Sequence, residues 1–142
     1  MGFGNEKLDV YRLSIDYVAW VYGQADSLLG NHRSARDQWL RASQSISLNI
    51  AEGNGKTIEA DRRRYFEIAR DSALECAAIQ DVLVVGNALD KEESSSHKTD
   101  LNRIVAMLIR LGGRGYRLRD AETDYDTELG DNDNDNDNES DF

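Results

Sequence analysis

The chain reads as an all-α protein, an antiparallel up-down four-helix bundle, and three features of its 142 residues predict this. It contains no proline, and its 11 glycines leave residues 31–52, 56–85 and 87–111 without a helix breaker. Within these stretches apolar side chains recur every three or four residues, the period of a helix buried along one side. No segment alternates in the manner of a strand. VLVV at 82–85 is the β-branched run, and it lies inside a helical pattern.

The first helix is expected from Leu8 to Leu29, with Val10, Leu13, Tyr17, Val21 and Leu28 on one side and Trp20 beside them. The second runs from Ser34 to Glu52, and Trp39, Ala42, Ser43, Ile46, Ile50 and Gly53 form its buried stripe. The third follows Thr57, a good N-cap residue, and continues to Asn87, on the order of 45 Å. Phe66, Ala69, Ala73, Cys76 and Gln80 make its inner line, flanked by Ile79, Val82 and Leu83. The fourth begins near Ser94-Ser95-Ser96 and carries Leu101, Ile104, Val105, Leu108 and Leu111 before Gly112-Gly113 weaken or end it. Short links between helices favour antiparallel neighbours. The bundle is assigned to residues 8–119. Residues 120–142, low in complexity and acidic, are expected to be a disordered tail, because they cannot bury enough apolar surface to offset the entropy of ordering.

A formal charge of −10 conceals an uneven distribution. Between Asp120 and Phe142 there are eleven acidic residues and no Lys or Arg, whereas residues 1–119 hold 16 acidic and 17 basic side chains, about +1. The single cysteine, Cys76, excludes an intrachain disulfide and sits in a helical pattern as a small apolar residue. No apolar run approaches the roughly 20 residues of a membrane span. The opening MGFGNEKLDV has no signal-peptide character, so a cytoplasmic location without membrane association is predicted.

The candidate catalytic patterns do not hold together. Gly55-Lys56-Thr57 looks like the end of a phosphate-binding loop, but Ile50 stands where the earlier glycine belongs and a helix precedes it instead of a strand. A di-iron bundle requires Glu-x-x-His pairs. His32 and His97 lie in predicted links and neither has a Glu three residues before it. The Asp/Asn tail lacks the central glycine and terminal Glu of a calcium loop. Ser43, Ser45 and Ser47 have no evident His–Asp partners and suit close helix packing. The prediction is a non-enzymatic protein with no metal and no cofactor.

Two polar groupings remain. Ser45, Asn49, Glu52 and Lys56 form a row beside the apolar stripe of the second helix. A hairpin near 53–57 would bring that row to the start of the third helix. Glu52 is therefore expected to pair with Arg62, Arg63 or Arg64, and Asn49 to bond to backbone near the turn. The second grouping is basic. Arg62, Arg63 and Arg64 form one cluster. Arg103, Arg110, Arg114, Arg117 and Arg119, with Tyr116 among them, form another. Arginines with an aromatic suit contact with RNA phosphates and bases. The competing roles are cations that complement a helix C-terminus and a docking site for the acidic tail.

LRASQSISLNIAEGNGK at 40–56, followed by RYFEIARDSALE, resembles the bacterial four helix bundle protein family, also called the 23S rRNA intervening-sequence proteins. Its pattern is approximately L-R-R-A-x-x-S-I-x-x-N-I-A-E-G-x-G-R. Leu40, Arg41, Ala42, Ser45, Ile46, Asn49, Ile50, Ala51, Glu52, Gly53 and Gly55 match it, with Lys56 in place of the final Arg. Phe66, Ile68, Ala69, Ser72 and Glu75 match a second segment, with Asp71 where Gly is common. Leu8-Asp9-Val10-Tyr11 is similar to the family's opening. The resemblance covers residues 8 to 119. It marks Arg41, Ser45, Asn49, Glu52, Gly53, Gly55, Ser72 and Glu75 as family-motif structural residues. It implies a bundle that assembles as a homopentamer. A related retroelement accessory protein implies contact with nucleic acid and an RNA-processing partner through a basic surface. The expected function is thus an oligomeric structural or adaptor protein associated with RNA, and the alternative is a protein-interaction scaffold that binds no nucleic acid.

Overall fold

The computed structural model describes residues 2–112, and from residue 6 onward their side chains. The tail and the boundary placed at residue 119 lie outside them. Four helices follow in order: α1 (Gly2–Ala25), α2 (Arg33–Asn54), α3 (Glu59–Val85) and α4 (Lys91–Leu111), with a single 3-10 turn at Gly30–His32 before α2. Each helix packs on two neighbours, α1 on α2 and α4, and α3 on α2 and α4.

The contacts between helices run in opposite directions along α1–α2, α2–α3 and α1–α4, and a short link joins α3 to α4. Lys7 and Ser14 of α1 meet Asn54 and Ser47 of α2. Ser45 of α2 meets Ser72 of α3, and Gly53 lies against Phe66. Gln80 and Asp81 of α3 meet Ser94 and Lys98 of α4. Trp20 and Glu6 of α1 meet Glu93 and Arg110 of α4. The result is the four-helix bundle expected from the periodicity.

Helix boundaries follow from local chemistry. α1 ends at Ala25, four residues before the predicted end, because Ser27 and Leu28 bond back to Gln24 and Ala25 as turns. Leu28 still enters the core from the connection. Thr57 does not cap α3. Ile58 holds that position in extended backbone without a side-chain cap, and Glu59 and Asp61 in the first turn complement the helix dipole instead. At the other end, Asn87 takes a left-handed conformation (φ 61°). Ala88 N–H then reaches Leu83 O at 2.8 Å, which closes the helix. α4 starts at Lys91, ahead of the serine cluster, because the Asp90 carboxylate accepts the Glu93 N–H at 2.9 Å. His97 consequently belongs to α4 and not to a link.

The core contains every predicted stripe residue of α2 and the inner line of α3. Trp39, Tyr17 and Phe66 are its largest members. Val82 departs from expectation, since it is 62% exposed. It lies two residues beyond Gln80, and at about 100° per residue that places it on the opposite side of α3.

One polar chain crosses the apolar centre with one residue from each helix. Trp39 Nε1 donates to the Tyr17 hydroxyl at 3.0 Å. That hydroxyl donates to Gln80 Oε1. Gln80 Nε2 donates to the carbonyl and hydroxyl of Ser94, each at 3.0 Å. Every polar atom of this chain has a partner, the condition under which a buried network fixes register and does not weaken the core.

Candidate interaction surfaces

The polar row on α2 is built differently from its predicted form. Asn49 Nδ2 donates to Ser45 O at 2.9 Å and to Ser45 Oγ at 3.1 Å, one turn back and away from the interhelical turn. Ser45 Oγ also accepts from Ser72 Oγ of α3 at 2.9 Å. Glu52 does not reach Arg62, Arg63 or Arg64. Its side chain is 58% exposed and pairs with Lys56 at 3.6 Å, four residues on and just past the end of α2. On an outer face of α2 a carboxylate remains hydrated, so a buried pair at this point gains nothing. Arg41 and Glu75 are likewise exposed, on α2 and α3.

Gly53 has a steric purpose. A Cβ there would stand 2.5 and 2.7 Å from ring carbons of Phe66. The motif glycine therefore lets the end of α2 lie directly on the aromatic ring of α3. Gly55 follows as the C-cap of α2, with its N–H directed to the carbonyls of Ala51 and Glu52. No neighbour crowds it. Ser43 and Ser47 are buried, and Ser47 shares a 2.9 Å hydrogen bond with Ser14 of α1, so these hydroxyls serve close packing.

Beyond this turn the surface is basic and aromatic. Arg62, Arg63 and Arg64 open α3, and Arg62 Nη1 donates to Lys56 O at 3.4 Å. The Lys56 ammonium lies 5.4 Å from the centre of the Tyr65 ring, and the Arg64 guanidinium 5.1 Å. Two cations thus lie over one aromatic ring. Arg110 at the end of α4 sits 3.9 Å from Glu6. Arg114, Tyr116, Arg117 and Arg119 lie outside the described residues. The structure therefore joins Lys56 to the first basic cluster, and Tyr65, absent from the expected set, is its aromatic element. Its signal was its position directly after three arginines.

A second surface escaped the sequence reading. Leu8, Ile15 and Tyr22 recur every seven residues on α1, displaced from the core stripe, and are 45%, 40% and 54% exposed. Gln44 of α2 donates to the Tyr22 hydroxyl at 3.0 Å. Leu48, one turn further along that face of α2, is 64% exposed. Together they form an apolar ribbon over the α1–α2 groove. The seven-residue spacing was visible, but it was overshadowed by the stronger stripe next to it.

Tyr17 and Cys76, titratable groups in the bundle core, are held neutral. Burial pushes the Cys76 thiol up to about 12, with the nearby Tyr17 hydroxyl opposing and Glu75 reinforcing the rise. Burial also raises Tyr17 well above its ordinary range. Burial raises the Asp71 carboxyl, against the pull of Arg70. Cys76 is thus a buried thiol held in its weakly nucleophilic form. His97 stacks flat on Trp20, centroids 3.7 Å apart, while Trp20 Nε1 donates to Glu93 Oε2 at 2.9 Å. Among the described residues no three His, Cys, Asp or Glu side chains group as metal ligands would, and no helix is long and apolar enough to cross a membrane.

The fold and these surfaces define a four-helix bundle with an apolar ribbon on one flank and a basic-aromatic corner at one end. The chain belongs to the 23S rRNA-intervening sequence protein family, whose model matches residues 6–110. A solved structure with this fold is a protein of unknown function from the S23 ribosomal protein family of Bacteroides thetaiotaomicron. It is 23% identical, with a TM-score of 0.68, and the match covers 75% of this chain and 97% of the other. No curated protein matches the sequence.

Proposed function

We propose that the chain is a non-enzymatic adaptor that self-associates through its α1–α2 ribbon, as a homopentamer, and meets RNA through its basic corner. The observation that carries this reading is the ribbon. Four large apolar side chains, each at least 40% exposed, line one groove of a bundle that already has a complete core. Contiguous exposed apolar surface of this kind marks an interaction site. The seven-residue spacing on α1 suits a second helix laid alongside. The pentamer rests on the family resemblance. The RNA contact is supported by Lys56 and Arg64 on Tyr65, a pairing that offers phosphates a cation and bases an aromatic face. The family's name ties its genes to ribosomal RNA.

A protein-interaction scaffold is the second reading, and Glu59 and Asp61 favour it. They stand in the first turn of α3 beside the arginines and reduce the positive potential there. Native mass and RNA titration decide between the two. Ile15→Glu combined with Leu48→Glu should reduce the assembly to monomers while helicity is retained; an unchanged native mass would remove the ribbon from the interface. Binding of a labelled structured RNA should weaken by at least tenfold between roughly 50 and 200 mM salt. No binding at the lower salt selects the scaffold.

A further inference from the structure

The basic corner and the exit of the chain share one end of the bundle. Asn54 Nδ2 donates to Lys7 O at 3.3 Å, which places the α2–α3 turn beside the start of α1. Arg110 and Glu6, 3.9 Å apart, place the end of α4 beside that same start. The chain leaves α4 at Gly112. Asp120 follows eight positions later, a reach of up to about 27 Å in extended form. Helices in a bundle lie 8–10 Å apart, so even the diagonal of the end face is only about 14 Å. The acidic run therefore begins within reach of any point on this end.

The charges complement each other. The corner offers Lys56, Arg62, Arg63 and Arg64, while residues 120–142 carry eleven carboxylates and no cation. Lys56 is held by Glu52 on the exposed face, and Glu59 and Asp61 lie close by. Arg64 is turned onto the Tyr65 ring. The far end of the bundle repels the same segment. Asp26, Asp37, Asp81, Asp90, Glu92 and Glu93 lie there and outnumber Arg33, Arg36, Lys91 and Lys98, of which Arg36 is paired with Asp37 at 3.1 Å and Lys98 with Asp81 at 2.6 Å.

We infer that the acidic C-terminal segment, residues 120–142, docks on the α2–α3 corner at Arg62, Arg63 and Arg64 and competes there with RNA. The competition rests on the RNA reading of that corner, whereas the docking does not. The contact is electrostatic, so it is strong at low salt and fades as ions screen it. It makes the segment a regulator of the corner, because a cationic partner protein that captured the segment would release the site.

The test uses the full chain with every Asp and Glu from Asp120 to Asp141 changed to Asn or Gln. A labelled structured RNA is titrated into this form and the native chain at roughly 50 and 200 mM salt. A labelled peptide of residues 120–142 is titrated into the neutralised chain, with and without Arg63→Gln and Arg64→Gln. Docking predicts RNA binding about tenfold tighter for the neutralised chain at low salt, with the difference shrinking at high salt. It also predicts salt-sensitive peptide binding that the double Arg substitution weakens by about tenfold or more. Equal RNA affinity of the two forms overturns the competition. Absence of peptide binding, or peptide binding indifferent to the Arg substitutions, overturns the docking. If neither form binds RNA, the RNA reading falls, and the peptide titration alone upholds or overturns the docking.

Discussion

Gln80 is the residue on which the interior turns. It is fully buried, and both ends of its amide are engaged, one by the Tyr17 hydroxyl and the other by Ser94. Gln80→Leu would preserve volume but leave the phenol proton without its acceptor and the Ser94 hydroxyl without its donor. Each unmet buried group costs about 1–3 kcal/mol. We expect a loss of about 2–4 kcal/mol in chemical denaturation, with a smaller added effect of Tyr17→Phe in the Leu background than in the native one. A loss below about 0.5 kcal/mol would show that the chain of hydrogen bonds is incidental. Burial also sets an alkaline limit. The Cys76 thiol, ordinarily 9.0, is pushed up to about 12 in the folded state, and Tyr17 is raised from 10.0. Both groups ionise more readily in the unfolded chain. Their contribution is therefore complete below about pH 9 and is lost as pH climbs toward 12. The melting temperature should fall across that window, and Cys76→Ala should make the fall shallower. A flat profile from pH 9 to 11 would contradict the burial argument.

At the level of the element, the α2–α3 hairpin is defined by Gly53 against Phe66. A methyl group placed 2.5 Å from an aromatic carbon forces the helices apart or the ring out of its rotamer, at about 1–3 kcal/mol. Gly53→Ala should lower stability by that amount, and Gly53→Ala with Phe66→Leu should recover part of it. Equal losses in the single and double variants would separate the glycine from the ring. The helices themselves were legible because their signals are local. Stripe residues every three or four positions fixed the inner faces of α2 and α3 correctly. What could not be read was where a side chain turns when two partners compete. Glu52 was expected to cross to α3 and remained with Lys56, four residues away and in water. Asn49 folded back on Ser45. Thr57 yielded its cap position to Ile58, because the chain enters α3 in extended form one residue later. The polar chain through Tyr17, Trp39, Gln80 and Ser94 was hidden for the opposite reason. Its hydrogen-bonded neighbours are 14 to 63 residues apart along the chain and meet only once four helices have assembled.

On the scale of the whole molecule, the two candidate features are surfaces, a basic corner and an apolar ribbon. The first basic cluster was visible as three consecutive arginines, while the contribution of Lys56 and Tyr65 required the fold. The apolar ribbon needed it too, since Leu8, Ile15 and Tyr22 gain their meaning from Leu48 on another helix. The interior holds a further consequence, one of time and not of place. The indole proton of Trp39 is given to Tyr17, whose own proton goes to α3, whose amide in turn grips α4. Fraying at a helix end leaves these bonds in place, so release of that proton is expected to require separation of the packed helices. Its replacement by deuterium therefore keeps the clock of global unfolding, whereas the indole of Trp20, bonded to Glu93 at the half-buried α1–α4 seam, exchanges with each local opening. The molecule thus carries two tryptophans that report on two different events.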